Sequence, residues 1–267
     1  MVTDASGLPE GLAVSGVLEV SKAVGLIQGG HVLDVATGDG DFIRTLTKAL
    51  GRYERFTGVD IDTGVLRKAQ DTFSGSPVEF HDMDATSLTF EDGTFDTVVM
   101  ANSLHHMSSV EDALEEMVRV LGAGGHLLIT EPFCDGNQSE AQRTEIANHH
   151  WSAGVDMALG KYHRQTYTRK EVLSLVEGLG LEQLVVLETS RPLNCLYCED
   201  AVRCEDPFDE MMTTRALRGI EEDLERLKAC TDEQVTRPLH DMAGALRARV
   251  KERGILPASS LYVIGRS

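Results

Sequence analysis

The sequence is poor in positive charge, in aromatic residues and in long apolar segments. Lys and Arg number 25 against 43 Asp and Glu, a formal net charge of −18, and no dense basic cluster interrupts this acidity. Such a chain repels nucleic acid, so we expect no nucleic-acid partner. No apolar run approaches membrane-spanning length. Residues 1–16 lack a basic stretch followed by an apolar one, so we expect neither a membrane span nor a secretory signal.

Cysteine is scarce as well. The five cysteines cannot all pair with one another, and without a secretory signal we expect reduced thiols in a cytoplasmic protein. Cys195, Cys198 and Cys204 have the first half of a zinc signature but lack a matching second pair. We therefore predict no bound metal. A structural metal, or a thiophilic substrate such as a metalloid, remains the alternative use of these thiols.

The chain does contain a glycine-rich turn directly after a short apolar run. The run ends at Asp34, glycines follow at Gly38 and Gly40, and a helix-like segment begins at Phe42. A strand, a turn without bulky side chains and a helix N-terminus together let the backbone approach a nucleotide-like cofactor closely. The turn therefore predicts a cofactor site.

The charge of this turn favours one kind of cofactor. A dinucleotide fingerprint needs a third glycine, where this chain has Ile43, and the carboxylates of Asp39 and Asp41 would repel a pyrophosphate. S-adenosylmethionine carries a sulfonium and an ammonium group and no phosphate, so it suits an acidic loop better. Asp60, about 20 residues beyond the glycines, stands where a ribose diol is commonly bound.

Apolar segments alternate with helix-like segments along the chain, which predicts an α/β fold with a doubly wound, mostly parallel seven-stranded sheet. After the first strand, the predicted strands are residues 55–60, 78–84, 94–102, 126–130, 181–187 and 260–264, with a turn at 121–125. Thr168 and Glu171 form a capping box that begins a helix before the sixth strand.

The order and spacing of these segments over residues 30–133 resemble the class I S-adenosylmethionine-dependent methyltransferases, in particular their small-molecule branch. The stretch DVATGDGD, with Ala36 where many members have glycine, is similar to the ubiquinone and menaquinone biosynthesis methyltransferases. The resemblance implies that the sixth and seventh strands form an antiparallel hairpin at the sheet edge. The cofactor-binding residues that it implies are Asp34, Ala36, Gly38, Gly40, Asp60, Ile61, Asp84, Ala85, Ala101 and Asn102.

For eight of these positions the resemblance implies a particular role. Asp34, Gly38 and Gly40 line the methionine moiety. Asp60 holds the ribose hydroxyls, Ile61 packs on the adenine and Asp84 accepts from the adenine amino group. Ala101 and Asn102 close the site at the fourth strand.

Three regions lie outside the predicted core. The predicted division is an N-terminal helical segment at 1–29, a core at 30–133, 168–187 and 259–267, a helical lid at 134–167, and an insertion at 188–258. The insertion opens with the cysteine-bearing loop. Two helices follow, with apolar stripes at Leu217, Ile220, Leu224 and Leu227 and at Leu239, Met242, Leu246 and Val250. We expect the stripes to pack together and onto the sheet domain, with a homodimer through residues 207–252 as the alternative.

Four side chains are candidates for work on the substrate. His105 and His106 follow the fourth strand, at the edge where open α/β sheets bind ligands, and are the candidate catalytic residues. The alternative is a hydrogen-bonded structural histidine. Trp151 and His163 in the lid are candidates for the substrate wall, against simple lid packing. His149 and His150 are adjacent and face different ways on a helix, so we do not expect both to serve one site.

The sequence therefore predicts a cytoplasmic methyltransferase that uses S-adenosylmethionine on a small or medium-sized organic molecule, by in-line displacement. A protein methyltransferase is one alternative, and a non-catalytic cofactor-binding or assembly protein is another. The acceptor atom does not follow from these residues.

Overall fold

The computed structural model describes residues 16–197 and 205–267. The strands in these ranges are β1 (His31–Val35), β2 (Arg55–Asp60), β3 (Val78–Asp82), β4 (Phe95–Ala101), β5 (Leu121–Pro132), β6 (Glu182–Thr189) and β7 (Ser260–Arg266). The α-helices are α1 (Val17–Gly25), α2 (Asp41–Ala49), α3 (Thr63–Thr72), α4 (Val110–Val120), α5 (Glu140–Ala158), α6 (Arg169–Glu177), α7 (Glu210–Leu227) and α8 (Glu233–Arg253). None of the described helices is long and apolar enough to cross a membrane.

Within the described residues the strands form a seven-stranded sheet in the order β3-β2-β1-β4-β5-β7-β6. The pairs from β3 through β5 are parallel, and β7 runs antiparallel to both β5 and β6. This confirms the predicted fold class and the hairpin of the last two strands. The reversed strand β7 lies one position in from the edge, which β6 occupies. The predicted turn at 121–125 is instead the start of β5, and the pairing with β4 shifts register across it, from Phe95–Leu121 to Thr97–His126.

The sheet buries both faces, which its near-continuous apolar strands require. Neighbouring residues of β1 illustrate this: Leu33 packs with the core that includes α4 and α6, and Val32 with the core that includes α1 and α2. Because successive side chains of a strand point to opposite faces, a helix layer is needed on each side.

A third core lies away from the sheet, in a bundle of α5, α7 and α8 that we call the helix bundle. Trp151 and Val155 of α5 pack there against Ile220 and Leu227 of α7 and Leu246 of α8. The two stripes of the insertion do pack together, as predicted. They pack onto the lid helix α5, however, rather than directly onto the sheet layers, because α5 presents Trp151 between them.

One member of the predicted stripes faces solvent. Met242 is 49% exposed, and the neighbouring Ala243 is fully buried in its place. Cys195 is buried, and Cys134 and Cys230 are half-buried. Cys198 and Cys204 lie outside the described residues, so the prediction on the cysteine-bearing loop stays a prediction.

Candidate active site

A large cavity opens at the carboxyl ends of the parallel strands, where ligands of open α/β sheets bind. Its volume is about 1230 Å³. The residues that follow β1, β2, β3 and β4 line one side of it. Nine of the ten predicted cofactor-binding residues lie on its wall: Asp34, Ala36, Gly38, Asp60, Ile61, Asp84, Ala85, Ala101 and Asn102.

The backbone of the glycine turn is bent toward this cavity. Ala36 and Gly38 have positive φ angles of 56° and 58°, and Ala36 adopts a conformation that suits glycine better. A Cβ atom placed on Gly38 would meet no atom within 4 Å. The space in front of Gly38 is therefore open for a ligand that touches the backbone.

Asp34 lies at the floor of the cavity and is 1% exposed. Its Oδ2 atom accepts a hydrogen bond of 2.6 Å from the Thr37 hydroxyl. Burial raises the pKa of Asp34 to about 7, and the nearby Asp60 carboxylate also raises it, whereas the Thr37 bond lowers it. Near neutral pH this carboxyl group is therefore divided between its protonated and ionised forms.

Gly40 is the one predicted cofactor residue that is absent from the cavity wall. It is the N-cap of α2, with a φ of 83°, and a Cβ there would lie 2.5 Å from Cε2 of Phe73. Glycine is needed at this position because the backbone before α2 is in the left-handed region and an aromatic ring lies where a side chain would be, not because the residue contacts a ligand.

The two acids at the ends of β2 and β3 are fixed by backbone hydrogen bonds. Asp60 accepts from the N–H groups of Gly38 and Asp62, at 2.9 Å each. Asp84 accepts from the backbone and hydroxyl of Thr86, at 2.9 and 2.8 Å, both through Oδ1. Ile61, directly after Asp60, is 70% exposed and presents its apolar side chain on the cavity wall.

The fourth strand closes the cavity with a strained turn. Asn102 has a φ of 52°, and its N–H donates to the carbonyl of Thr130 on β5 at 2.8 Å. This bond holds the backbone of Ala101 and Asn102 against the cavity. Non-glycine residues in this region of φ are concentrated at functional sites.

The charge of the cavity is strongly negative. Among the described residues, its wall carries five aspartates, Asp34, Asp41, Asp60, Asp62 and Asp84, against a single lysine, Lys161. Five carboxylates around one space favour a ligand with positive charge and disfavour a pyrophosphate.

The two candidate catalytic histidines have different positions. Both lie in a short 3-10 helix after β4. His106 lines the cavity, whereas His105 is 2% exposed and its Nδ1 atom is hydrogen-bonded to the buried carboxylate of Glu131. Of the pair, only His106 is placed to meet a ligand in the cavity.

The imidazole rings of four histidines pack together beside the cavity. We call this group the histidine cluster: His105, His106, His149 and His163. The centroids of His106 and His163 are 4.1 Å apart and those of His105 and His149 are 4.7 Å apart. Burial and the neighbouring imidazoles lower the pKa of His106 to about 3 and that of His149 to about 3. At neutral pH these two rings are neutral, and His106 is a weak base.

The two candidate substrate residues in the lid do not face the cavity. Trp151 is 1% exposed and its indole N–H donates to the carbonyl of Leu239 at 2.9 Å, so it forms the core of the helix bundle. His163 is 5% exposed and belongs to the histidine cluster. His150 bonds the Thr166 hydroxyl at 3.1 Å while His149 faces the cluster, so the two neighbours do serve different places.

Several residues of the cavity wall are missing from the sequence-based prediction. Lys161 lines the cavity from the lid side, Pro192 and Asn194 line it from the segment after β6, and Tyr262 lines it from β7. The run Gly160–His163 in the lid is the one signal that points to Lys161. The segment after β6 has no motif, and its place over the cavity follows only from the hairpin with β7.

Comparison with known proteins matches the same part of the chain. A family model described as "Methyltransferase domain" matches residues 32–125. The ubiquinone/menaquinone biosynthesis C-methyltransferase of Pseudomonas savastanoi is 38% identical over 112 residues, which are 40% of this chain and 43% of that relative. The chain thus spans less than half the length of the curated relatives that it matches.

Solved structures share the whole fold at low sequence identity. Phosphoethanolamine N-methyltransferase 2 of Haemonchus contortus, in complex with S-adenosyl-L-methionine, is 18% identical with a TM-score of 0.53, covering 94% of this chain and 52% of that chain. The cyclase SpnF is 19% identical with a TM-score of 0.55, covering 94% and 79%. Such identities show the fold alone. The sequence match over residues 32–125 and the fold similarity agree on the strands that carry the cavity.

Proposed function

We propose that this chain is an S-adenosylmethionine-dependent methyltransferase that acts on a small or medium-sized organic molecule. The observation that carries the proposal is the meeting of nine predicted cofactor residues on the wall of one acidic cavity. The volume of about 1230 Å³ exceeds the space of about 300–1,000 Å³ that one small-molecule ligand usually takes. A cofactor and an acceptor therefore have room together.

The residues present fit S-adenosylmethionine by shape and charge. The open space before Gly38 admits the cofactor close to the backbone. Asp60 and Asp84 keep carboxylate lone pairs beyond those used by the backbone bonds, for a ribose diol and an adenine amino group. The exposed Ile61 offers an apolar surface for the adenine ring, and Asp34 lies where a positive charge would stabilise its ionised form.

The chemistry requires alignment more than acid–base assistance. When bound, the cofactor supplies a methyl group already activated by its sulfonium, so that a carbon–sulfur bond breaks as the bond to the acceptor forms. The residues of this chain position both partners and exclude water. His106 supplies a neutral imidazole that can orient the acceptor by a hydrogen bond, and Lys161 supplies a positive charge on the same wall.

A quinone-like or natural-product precursor is the proposed acceptor class. The relatives named for ubiquinone and menaquinone biosynthesis support this choice. We keep the predicted domain division, a cytoplasmic location and the absence of a nucleic-acid partner as part of the proposal. The homodimer through residues 207–252 remains the alternative use of the insertion. Met211 and Met242, 54% and 49% exposed, offer apolar surface on α7 and α8 for it.

Isothermal titration calorimetry with S-adenosylhomocysteine and with NAD tests the cofactor assignment. We expect S-adenosylhomocysteine to bind and NAD to give no heat. Asp60→Ala should weaken binding by about 1–3 kcal/mol, because it removes charge-assisted hydrogen bonds. Asp82→Ala, at the end of the neighbouring strand and off the cavity wall, is the matched control. Tight NAD binding without S-adenosylhomocysteine binding would refute the assignment.

A turnover assay tests the acceptor class. The purified protein is incubated with the methyl donor and a panel of hydroxylated quinones and phenols, with an unrelated peptide mixture as comparison. We expect methylated product only from the small molecules. Product from peptides alone would favour a protein methyltransferase, and cofactor binding without any product would favour the non-catalytic alternative.

A further inference from the structure

We propose that His105, His149 and His163 form a metal site, with Zn²⁺ as the preferred ion. Each residue offers one imidazole nitrogen, and the three nitrogens all lie within 4.8 Å of one another. Three imidazoles are the protein donor set of one class of catalytic zinc site. This proposal replaces the expectation of no metal, which rested on the cysteines.

The distances suit a single ion. Nε2 of His163 and Nε2 of His149 lie 3.2 Å apart. Two nitrogens bound tetrahedrally to one zinc, each at about 2.0–2.1 Å, are separated by about 3.4 Å. This pair already has nearly that spacing, and a separation of 4.8 Å, the upper limit within the trio, must close by about 1.4 Å, which side-chain rotations can supply.

Two buried carboxylates orient the rings. Glu131 is hydrogen-bonded to Nδ1 of His105, and Asp156 bonds Nδ1 of His163 at 2.8 Å. A carboxylate behind Nδ1 favours the tautomer in which Nε2 carries the lone pair. Metal-binding histidines almost always have such a carboxylate, carbonyl or water behind them.

The charge around Glu131 points the same way. Its side chain is 0% exposed, and its one ion-pair partner in the described part of the chain is His105. A buried carboxylate is costly unless a positive charge compensates for it. A dication bound at the three histidines would supply such a charge next to Glu131. Asp156, by contrast, has Arg226 beside it.

The site lies against the proposed substrate space. His106 lines the cavity, and its ring contacts that of His163. An ion held by the three histidines is thus separated from the cavity by one ring or less. If the proposed methyl transfer is correct, such an ion stands beside the acceptor, but metal binding by itself does not depend on that function.

Metal content and titration test the proposal on the intact chain. The protein is stripped with a chelator and titrated with Zn²⁺ and, for its visible spectrum, Co²⁺. We expect one equivalent of metal to bind. The Co²⁺ form should show the visible absorption bands of an ion held by nitrogen ligands in a site of low symmetry. His149→Ala and His163→Ala should each weaken binding at least tenfold, whereas His150→Ala, one residue along the same helix, should not.

Two further variants and a binding control keep the result interpretable. Glu131→Gln preserves shape but removes the carboxylate behind His105, and should weaken the metal by about 10- to 100-fold. A Cys195→Ser, Cys198→Ser, Cys204→Ser variant should retain the metal. S-adenosylhomocysteine binding in the same samples checks that each variant is folded, and tests the proposed function separately. Binding no stronger than the buffer baseline, or binding that survives in His149→Ala and His163→Ala, would overturn the site.

Discussion

The buried carboxyl group of Asp34 should make the stability of the ligand-free protein depend on pH. The rise of its pKa from 3.8 to about 7 corresponds to about 4 kcal/mol at 1.36 kcal/mol per unit. Because the folded-state pKa lies above the unfolded one, the folded protein holds one more proton between pH 3.8 and 7. The free energy of unfolding contributed by this group therefore falls as pH rises through that window, and the full cost is present above pH 7.

Asp34→Asn removes this titration while keeping the size of the side chain. The amide stays neutral at every pH. We therefore expect the free energy of unfolding of the variant, relative to that of the wild type, to rise by about 4 kcal/mol as the pH goes from 4 to 8. Urea unfolding of both proteins at several pH values measures the difference. A difference that does not change with pH would refute the assignment of a raised pKa to this residue.

Asp34→Asn should also bind a positively charged cofactor less tightly than the wild type does, and the number of protons released on binding should differ between the two proteins. A sulfonium or ammonium group near Asp34 favours the ionised carboxylate, so binding to the wild type near pH 7 should release a proton. Calorimetry in buffers of different ionisation enthalpy counts that proton. We expect the release to be absent in Asp34→Asn.

Three other perturbations follow from positions already described. Trp151→Ala should destabilise the protein by about 3–5 kcal/mol, measured by urea unfolding, because it empties the core of the helix bundle. Gly40→Ala should lower the thermal midpoint with little change in S-adenosylhomocysteine affinity, because its Cβ meets Phe73 rather than a ligand; a large affinity loss in a folded variant would contradict this. With saturating methyl donor, turnover should depend on pH in the same way in the wild type and in His106→Gln from pH 7.5 to 5.5, because the pKa of His106 lies near 3. A fall in wild-type turnover below about pH 6.5 that is absent in the variant would contradict this expectation.

The sheet and the cofactor loop were predictable because their signals are local. Period-two and continuous apolar runs, separated by glycine turns, place seven strands in order. Some helix starts have weaker signals: α3 begins after Asp62, whose carboxylate accepts hydrogen bonds from the N–H groups of Gly64 and Val65. The capping box at Thr168 and Glu171 is confirmed.

Only part of the histidine cluster could be predicted from the sequence, because its residues come from segments that are distant along the chain. His105 follows a predicted strand and can therefore be identified as a candidate site residue. Its partner Glu131 lies inside β5, where an acid at the end of an apolar run belongs to no recognisable motif. His149 and Trp151 are two residues apart on α5, a helix without a clear apolar stripe. Which of them faced the site and which faced the helix bundle depended on α7 and α8, far along the chain.

The position of α5 has a consequence for how the molecule opens. This helix carries Trp151 into the helix bundle and His149 into the histidine cluster, and Asp156 on its last turn holds His163. The bundle has its own core, so it can unfold as a unit while the sheet remains intact. Such partial opening would withdraw two of the three proposed ligands together. The glycine turn, whose supports lie on β1 and β2, would stay in place, and amide hydrogen exchange would then separate two levels of protection within one chain.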